Sequence, residues 1–123
     1  MAKLKQLFIA SSVLVAGLAL SGCGSAGAVA DARLACKDVK AALATQKKSE
    51  IAGISSSQVD TLQSLALSQL LKGSHHAARA TAKDGSWIVL QTAINESERV
   101  PLKYTAATLT RICKIADSST PYL

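Results

Sequence analysis

The sequence predicts an all-α fold, a four-helix up-down-up-down bundle over residues 28–123. Three observations carry that expectation. Alanine and leucine are abundant while Pro101 and Pro121 are the only prolines, a composition that favours helix. No stretch sustains the period-two alternation of a half-buried strand. Four segments separated by turn signals each gather apolar residues on one helical arc. The first and last segments each carry one cysteine on that arc, as neighbours at the closing edge of a bundle would.

The first helix is expected from about Ala28 to Lys48. At about 100° per residue, Ala32, Ala35, Cys36, Val39, Ala42, Leu43 and Gln46 share an inward arc, while Arg33, Lys37, Lys40, Lys47 and Lys48 form a basic stripe on another. A polar stretch, Ser49 to Ser57, contains Gly53 and three consecutive serines and ends the helix. Ser57 and Asp60 are spaced as a capping box, so the second helix is expected over Gln58 to Lys83. Val59, Leu62, Leu65, Ala66, Gln69 and Leu70 form its inward face. The same phase runs through Gly73, Ala77 and Ala80, which favours one continuous helix, a stop at Gly73 with a new cap at Ser74 being the alternative.

Asp84-Gly85-Ser86 is a turn signal, with Ser86 as the expected cap of a third helix from Trp87 to Glu98. Trp87, Val89, Leu90, Ala93 and Ile94 share its inward face, and Trp87, the only tryptophan, is expected to plug the core. Val100-Pro101 breaks the chain, and proline suits the first turn of a fourth helix, Pro101 to Ala116. That helix turns Leu102, Ala106, Leu109, Ile112, Cys113 and Ala116 inward. Leu67, Leu71, Tyr104 and Ile115 fall outside the simplest arcs and are expected to widen the core, a partner surface being the alternative.

Residues 1–23 have a different grammar. Lys3 and Lys5 precede an apolar run of 14 residues, Leu7 to Leu20, followed by Ser21-Gly22-Cys23. A spanning helix would need roughly 20 apolar residues, so this is the pattern of an export signal. Leu20-Ser21-Gly22-Cys23 resembles the lipobox of bacterial lipoproteins: an aliphatic residue, two small residues, then cysteine. That resemblance implies a signal peptide over residues 1–22, with Leu20, Ser21 and Gly22 read by the processing peptidase. It also implies a diacylglyceryl group on Cys23 as the only covalent addition, with no other cofactor, and attachment to the extracytoplasmic face of a membrane. The alternative is an ordinary secretory signal with a cysteine nearby.

Assigning Cys23 to lipid leaves Cys36 and Cys113 as an even pair in an oxidising compartment, so a disulfide joining the first and last helices is expected, two buried free thiols being the alternative. Gly24-Ser25-Ala26-Gly27 then reads as a short tether, residues 23–27 linking the lipid to the domain. Without residues 1–22 the 123-residue chain keeps 101, enough for one small domain. The net charge of +6 loses Lys3 and Lys5 and becomes +4, a modest excess that suits anionic head groups or wall polymers and argues against nucleic acid as a partner of an exported protein. The remainder also resembles small alanine-rich helical lipoproteins of actinobacteria, which carry one cysteine near each end of a compact helical domain. This chain is richer in lysine and serine, and the resemblance assigns no activity to any residue.

No catalytic constellation emerges. Adjacent helical residues point about 100° apart, so His75 and His76 cannot clamp one metal, and no Asp, Glu or Cys stands three or four residues from either. The serines lack a Gly-x-Ser-x-Gly turn, and the carboxylates are scattered. No catalytic and no metal-binding residue is therefore expected. The reading that fits best is a membrane-tethered, non-catalytic helical module that binds a protein or an anionic envelope component through Arg33, Lys37, Lys40, Lys47 and Lys48. Alternatives are carriage of a small molecule or lipid between the helices, which needs an apolar cavity of several hundred Å³, and exclusion of competing phage by a prophage-encoded surface lipoprotein.

Overall fold

The computed structural model describes residues 24–123; Leu20, Ser21, Gly22 and Cys23 lie outside the described residues. Four α-helices make up the fold, α1 (Gly24–Ser49), α2 (Ser56–Lys83), α3 (Ile88–Ser97) and α4 (Leu102–Ala116), with one 3₁₀ turn, Gly85–Trp87, leading into α3. No strand occurs among the described residues. The most extensive interface lies between α1 and α2; α3 packs on α2 and α4, and α4 returns to α1. Cys36 and Cys113 are bonded across that last interface, their Cα atoms 5.4 Å apart.

The helix ends differ from expectation in three places. α1 begins at Gly24, so the residues expected as a tether form its opening turn. Ala26, Ala28 and Ala30 supply helix propensity there, and Gly27 lies against Lys83. α2 starts earlier than the Ser57–Asp60 spacing suggests. Its cap is Ser55, whose hydroxyl accepts from the Gln58 backbone N–H at 3.3 Å while the Gln58 side chain accepts from the Ser55 N–H at 2.9 Å. The longer side chain of Gln58 reaches back where Asp60 would fall short, which favours this register. At the next turn Asp84, not Ser86, is the cap: its carboxylate accepts from the Ser86 N–H at 3.0 Å, and Trp87 falls in the 3₁₀ turn ahead of α3.

The core has a small-residue half and a large-residue half. Ala28, Ala32, Ala35 and Ala42 of α1 meet Ala66, Gly73, Ala77 and Ala80 of α2, all buried. Trp87, Leu70, Leu90, Ile94, Leu109 and Ile112 fill the remaining interior, each 2% exposed or less. Leu65 and Val89, expected inward, are instead exposed, at 47% and 46%. Leu65 stands about 100° round α2 from buried Ala66, on the flank of the inward face. Val89 stands about 100° round from buried Leu90 and lines an open groove with Ile88, Thr92, Thr105 and Thr108. Leu67, Leu71 and Tyr104 are exposed, so they do not widen the core; Ile115 is half-buried.

α2 runs unbroken through Gly73, and the reason is close approach. A Cβ at that position would lie 3.2 Å from the Ala35 carbonyl oxygen and 3.4 Å from the Asp38 Cβ. Glycine costs a helix interior about 1 kcal/mol relative to alanine, and here it lets two backbones meet. Gly73→Val should therefore lower stability by about 1–3 kcal/mol through overpacking, read as a fall in the midpoint of chemical denaturation without loss of helical signal.

Candidate functional site

The five basic residues of α1 differ in their contacts. Arg33 donates from Nε to the Ala116 carbonyl at 2.9 Å and from Nη2 to the Ser118 carbonyl at 3.0 Å, satisfying acceptors at the C-terminal end of α4. Lys40 pairs with Asp117 at the same helix end. Guanidinium and ammonium groups are favoured there, because the last carbonyls of a helix lack partners and carry partial negative charge. Together with Cys36–Cys113, these contacts fasten the first half of α1 to the end of α4. Lys37 is exposed and forms none of the ion pairs found among the described residues.

Lys47 and Lys48 occupy the last turn of α1. Lys47 borders a groove of about 260 Å³ between α1 and α4, floored by Leu43, Ala106 and Thr110, and Lys103 of α4 stands on the opposite bank. Neither Lys47, Lys48 nor Lys103 enters an ion pair among the described residues. The Lys103 ammonium lies 5.1 Å from the centroid of the Tyr104 ring, which is itself exposed. One carboxylate borders the groove, Glu50, which accepts from the Gln46 side chain at 3.2 Å. Two exposed lysines on opposite banks of one groove can contact an acidic side chain or a phosphate together.

Lys103 was not among the basic residues singled out in the sequence. The signal for it was the cysteine pair. About three turns along α1 from Cys36 lies Lys47, and about three turns back along α4 from Cys113 lies Lys103.

A second charged cluster joins the start of α1 to the end of α2. Asp31 is buried at 4% exposure and accepts from the Lys83 ammonium at 2.6 Å, with the Arg79 guanidinium 3.8 Å away. The hydrogen bond from Lys83 holds the Asp31 carboxyl below its ordinary value, working against the burial that would raise it. His76 reaches across to Asp38, 3.8 Å away, and His75 is exposed, so the two imidazoles diverge. Among the described residues no group of three or more His, Cys, Asp or Glu side chains could hold a metal ion. No described helix is long and apolar enough to cross a membrane. The principal depressions are grooves open at the surface, and the interior between them is filled by the Trp87–Leu70–Leu90–Ile94 packing.

The fold and grooves define a small disulfide-closed helical domain. No family model, no characterised protein and no solved structure matches the chain.

Because folding lowers the Asp31 pKa, its contribution to stability is present above the unfolded aspartate value of about 3.9 and is lost as the pH falls through the folded value. Asp31→Asn should therefore destabilise the domain at neutral pH. The gap from the parent protein should close on acidification below about pH 4, as followed by thermal unfolding across that range.

Proposed function

We propose that this chain is a lipid-anchored, non-catalytic helical lipoprotein that binds an acidic protein or anionic envelope component through the α1–α4 groove. The observation that carries the reading is the convergence of Lys47 and Lys103, from different helices, on one groove, neither of them in an ion pair among the described residues. Arg33 and Lys40 belong to the expected basic surface too, but their charges are engaged with the end of α4. The binding face is therefore the far part of the stripe, Lys47 and Lys48, extended by Lys103, with Lys37 outside it.

We infer an up-down-up-down order for the helices that carry this face. Asp31–Lys83, Asp38–His76 and Thr45–Gln69 link rising positions on α1 to falling positions on α2. Arg33–Ala116 and Cys36–Cys113 relate α1 to the last turns of α4, while the Lys47–Lys103 groove relates its end to the first. Ser74–Asn95 and Ser97–Thr105 link the remaining neighbours.

The anchor is Cys23. The lipobox residues support it, and so does the Cys36–Cys113 bond, which uses the other two cysteines and leaves Cys23 as the one for lipid. With α1 beginning at Gly24, the Lys83 end of α2 and the Ala116 end of α4 lie toward the membrane, and the lysine groove lies at the far end of α1. A groove held away from the lipid surface suits a partner in the envelope space. Carriage of a lipid inside the bundle fits less well, since large side chains occupy the interior.

Two measurements test this. Mass spectrometry of the membrane-extracted protein should find an acylated Cys23 as its first residue, and Cys23→Ser should release the protein from membranes; an unmodified chain starting elsewhere would end the anchored reading. Binding to poly-glutamate and to polyphosphate should weaken roughly tenfold on combining Lys47→Glu with Lys103→Glu and should fall with added salt. Lys37→Glu should have little effect, and an equal loss from that change would show a diffuse charge effect in place of a groove.

A further inference from the structure

We propose, resting on the lysine groove as a binding face, that its occupant is a linear phosphate polymer, which runs on from the groove along the exposed face of α4 to Lys114. α4 carries Lys103, Arg111 and Lys114 and no acid, whereas α3 beside it carries Glu96 and no base. At about 100° per residue, Lys103, Ala107, Thr110 and Lys114 fall within about 60° of one another, with Arg111 on their flank. All five are exposed, while Leu102, Leu109, Ile112, Cys113 and Ala116 turn the other side of the helix to the core.

The charge of this stripe is uncompensated. Lys103, Arg111 and Lys114 enter none of the ion pairs found among the described residues. The Tyr104 ring beside Lys103, 5.1 Å from its ammonium, leaves the charge in place. Of the acids nearest the stripe, Glu50 borders the groove and accepts from Gln46, while Asp117, just past the end of α4, pairs with Lys40. The acids of α1 are turned to α2 instead, Asp31 to Lys83 and Asp38 toward His76. Positive charge is therefore concentrated where α4 runs on from Lys47, and a row of like charges draws in a polyanion and gains from the counterions it releases.

Length and donor chemistry narrow the occupant. The rise from Lys103 to Lys114 is about 16 Å, so a compact anion held between Lys47 and Lys103 does not reach Lys114, and an extended chain with repeated charges does. An acidic peptide has that reach, but the face offers it little beyond charge. The backbone groups of α4 are taken up within the helix, the Thr110 hydroxyl donates to the Ala106 carbonyl at 2.7 Å, and the position between the cations is Ala107, which gives an intervening side chain no anchor. A phosphate chain carries charge at every unit and needs no such partners. Lysine suits it: an ammonium is a point charge with three rotatable donors, able to meet a tetrahedral phosphate from any side. A planar carboxylate is matched best by a guanidinium fork, and Arg111 is the one arginine of the stripe.

The test is calorimetric titration of the full-length chain with pyrophosphate, long-chain polyphosphate and poly-glutamate at several salt concentrations. Combining Arg111→Gln with Lys114→Gln should weaken polyphosphate binding by roughly fivefold or more and make its salt dependence shallower by about one unit of log K per log salt for each cation removed. Pyrophosphate binding should stay unchanged in that variant. Lys47→Gln with Lys103→Gln should weaken both ligands, and Lys72→Gln, exposed on α2 outside the stripe, should alter neither. Polyphosphate affinity and salt slope untouched by the Arg111 and Lys114 changes would overturn the track and leave the groove standing, provided the Lys47 and Lys103 changes still weaken pyrophosphate. An equal loss per charge from Lys72→Gln would show a diffuse field and overturn it too. Poly-glutamate bound as tightly as polyphosphate, with the same dependence on Arg111 and Lys114, would overturn the choice of phosphate. Binding of none of the three would remove the groove reading as well.

Discussion

The fold depends on how closely α1 and α2 approach one another. Their shared face is almost entirely alanine and glycine, and an alanine side chain buries far less apolar surface than the leucine or isoleucine whose burial contributes about 1.5–3 kcal/mol. Such a seam gains from dispersion contacts between backbones, which require near contact along the helix pair. Gly73 lies against the Ala35 carbonyl at one such point of close approach. The longer side chains, Trp87 foremost, fill the opposite half of the interior, where α3 and α4 cover it. A core of this make-up suits a crosslink. The Cys36–Cys113 bond spans 77 residues, and closing so long a loop contributes roughly 4 kcal/mol in the chain-entropy view.

The same constraint decided which features of the fold were legible in the sequence. Helices with one consistent apolar phase were readable: Ala32, Ala35, Cys36, Val39 and Ala42 of the α1 arc and Leu102, Leu109, Ile112, Cys113 and Ala116 of the α4 arc are buried, while Leu43, Gln46 and Ala106 are half-buried and Asp31, Thr45 and Ser49 are buried outside the α1 arc. Periodicity failed on the flanks of the arcs. Leu65 lies at the edge of the inward arc, beside buried Ala66, and is exposed. Val89 is apolar and adjacent to a core residue, yet a ten-residue α3 wedged between α2 and α4 has room for only a narrow inward stripe. Caps were harder still. Ser55, Ser56 and Ser57 all offer a hydroxyl, and the choice among them rests on the reach of Gln58 back to the Ser55 backbone, a tertiary detail of about one residue in register.

Charge was legible as composition and illegible as assignment. A lysine-rich stripe on α1 is visible in the sequence, but its division between structure and surface depends on where α4 ends. Because the chain turns out of α4 at Ala116, its free carbonyls and Asp117 come to rest beside Arg33 and Lys40, and these two cations serve the helix terminus. Lys47 and Lys48 are beyond that contact. Lys103 becomes relevant only through the cysteine pair that sets its level against α1, and two separate lysine positions in the sequence thereby face one another across a groove. Asp31 shows the same rule with opposite sign: a buried acid that reads as an isolated residue in the sequence is matched by Lys83, 52 residues downstream, and by Arg79 one turn before it.

Polarity is also unevenly distributed along the bundle. Toward the Gly24 end of α1, Asp31 is a buried acid that Lys83 and Arg79 compensate. At the Ser49 end, Thr45, Ser49 and Ser97 are buried and Gln46 and Gln69 are half-buried, so the interior there is built from hydroxyls and amides where alanine would pack. Most of these groups satisfy one another: Thr45 with Gln69, Ser49 with the Gln46 carbonyl, Ser97 with Thr105. A polar network inside a small domain costs stability relative to apolar packing unless every member is paired. Glu98 Oε1 is the member that is not. Two grooves open at this end, one bordered by Lys47 and Lys103 and the other by Glu98. The Gly24 end is held instead by the Asp31 cluster and by the Arg33 contacts with the end of α4.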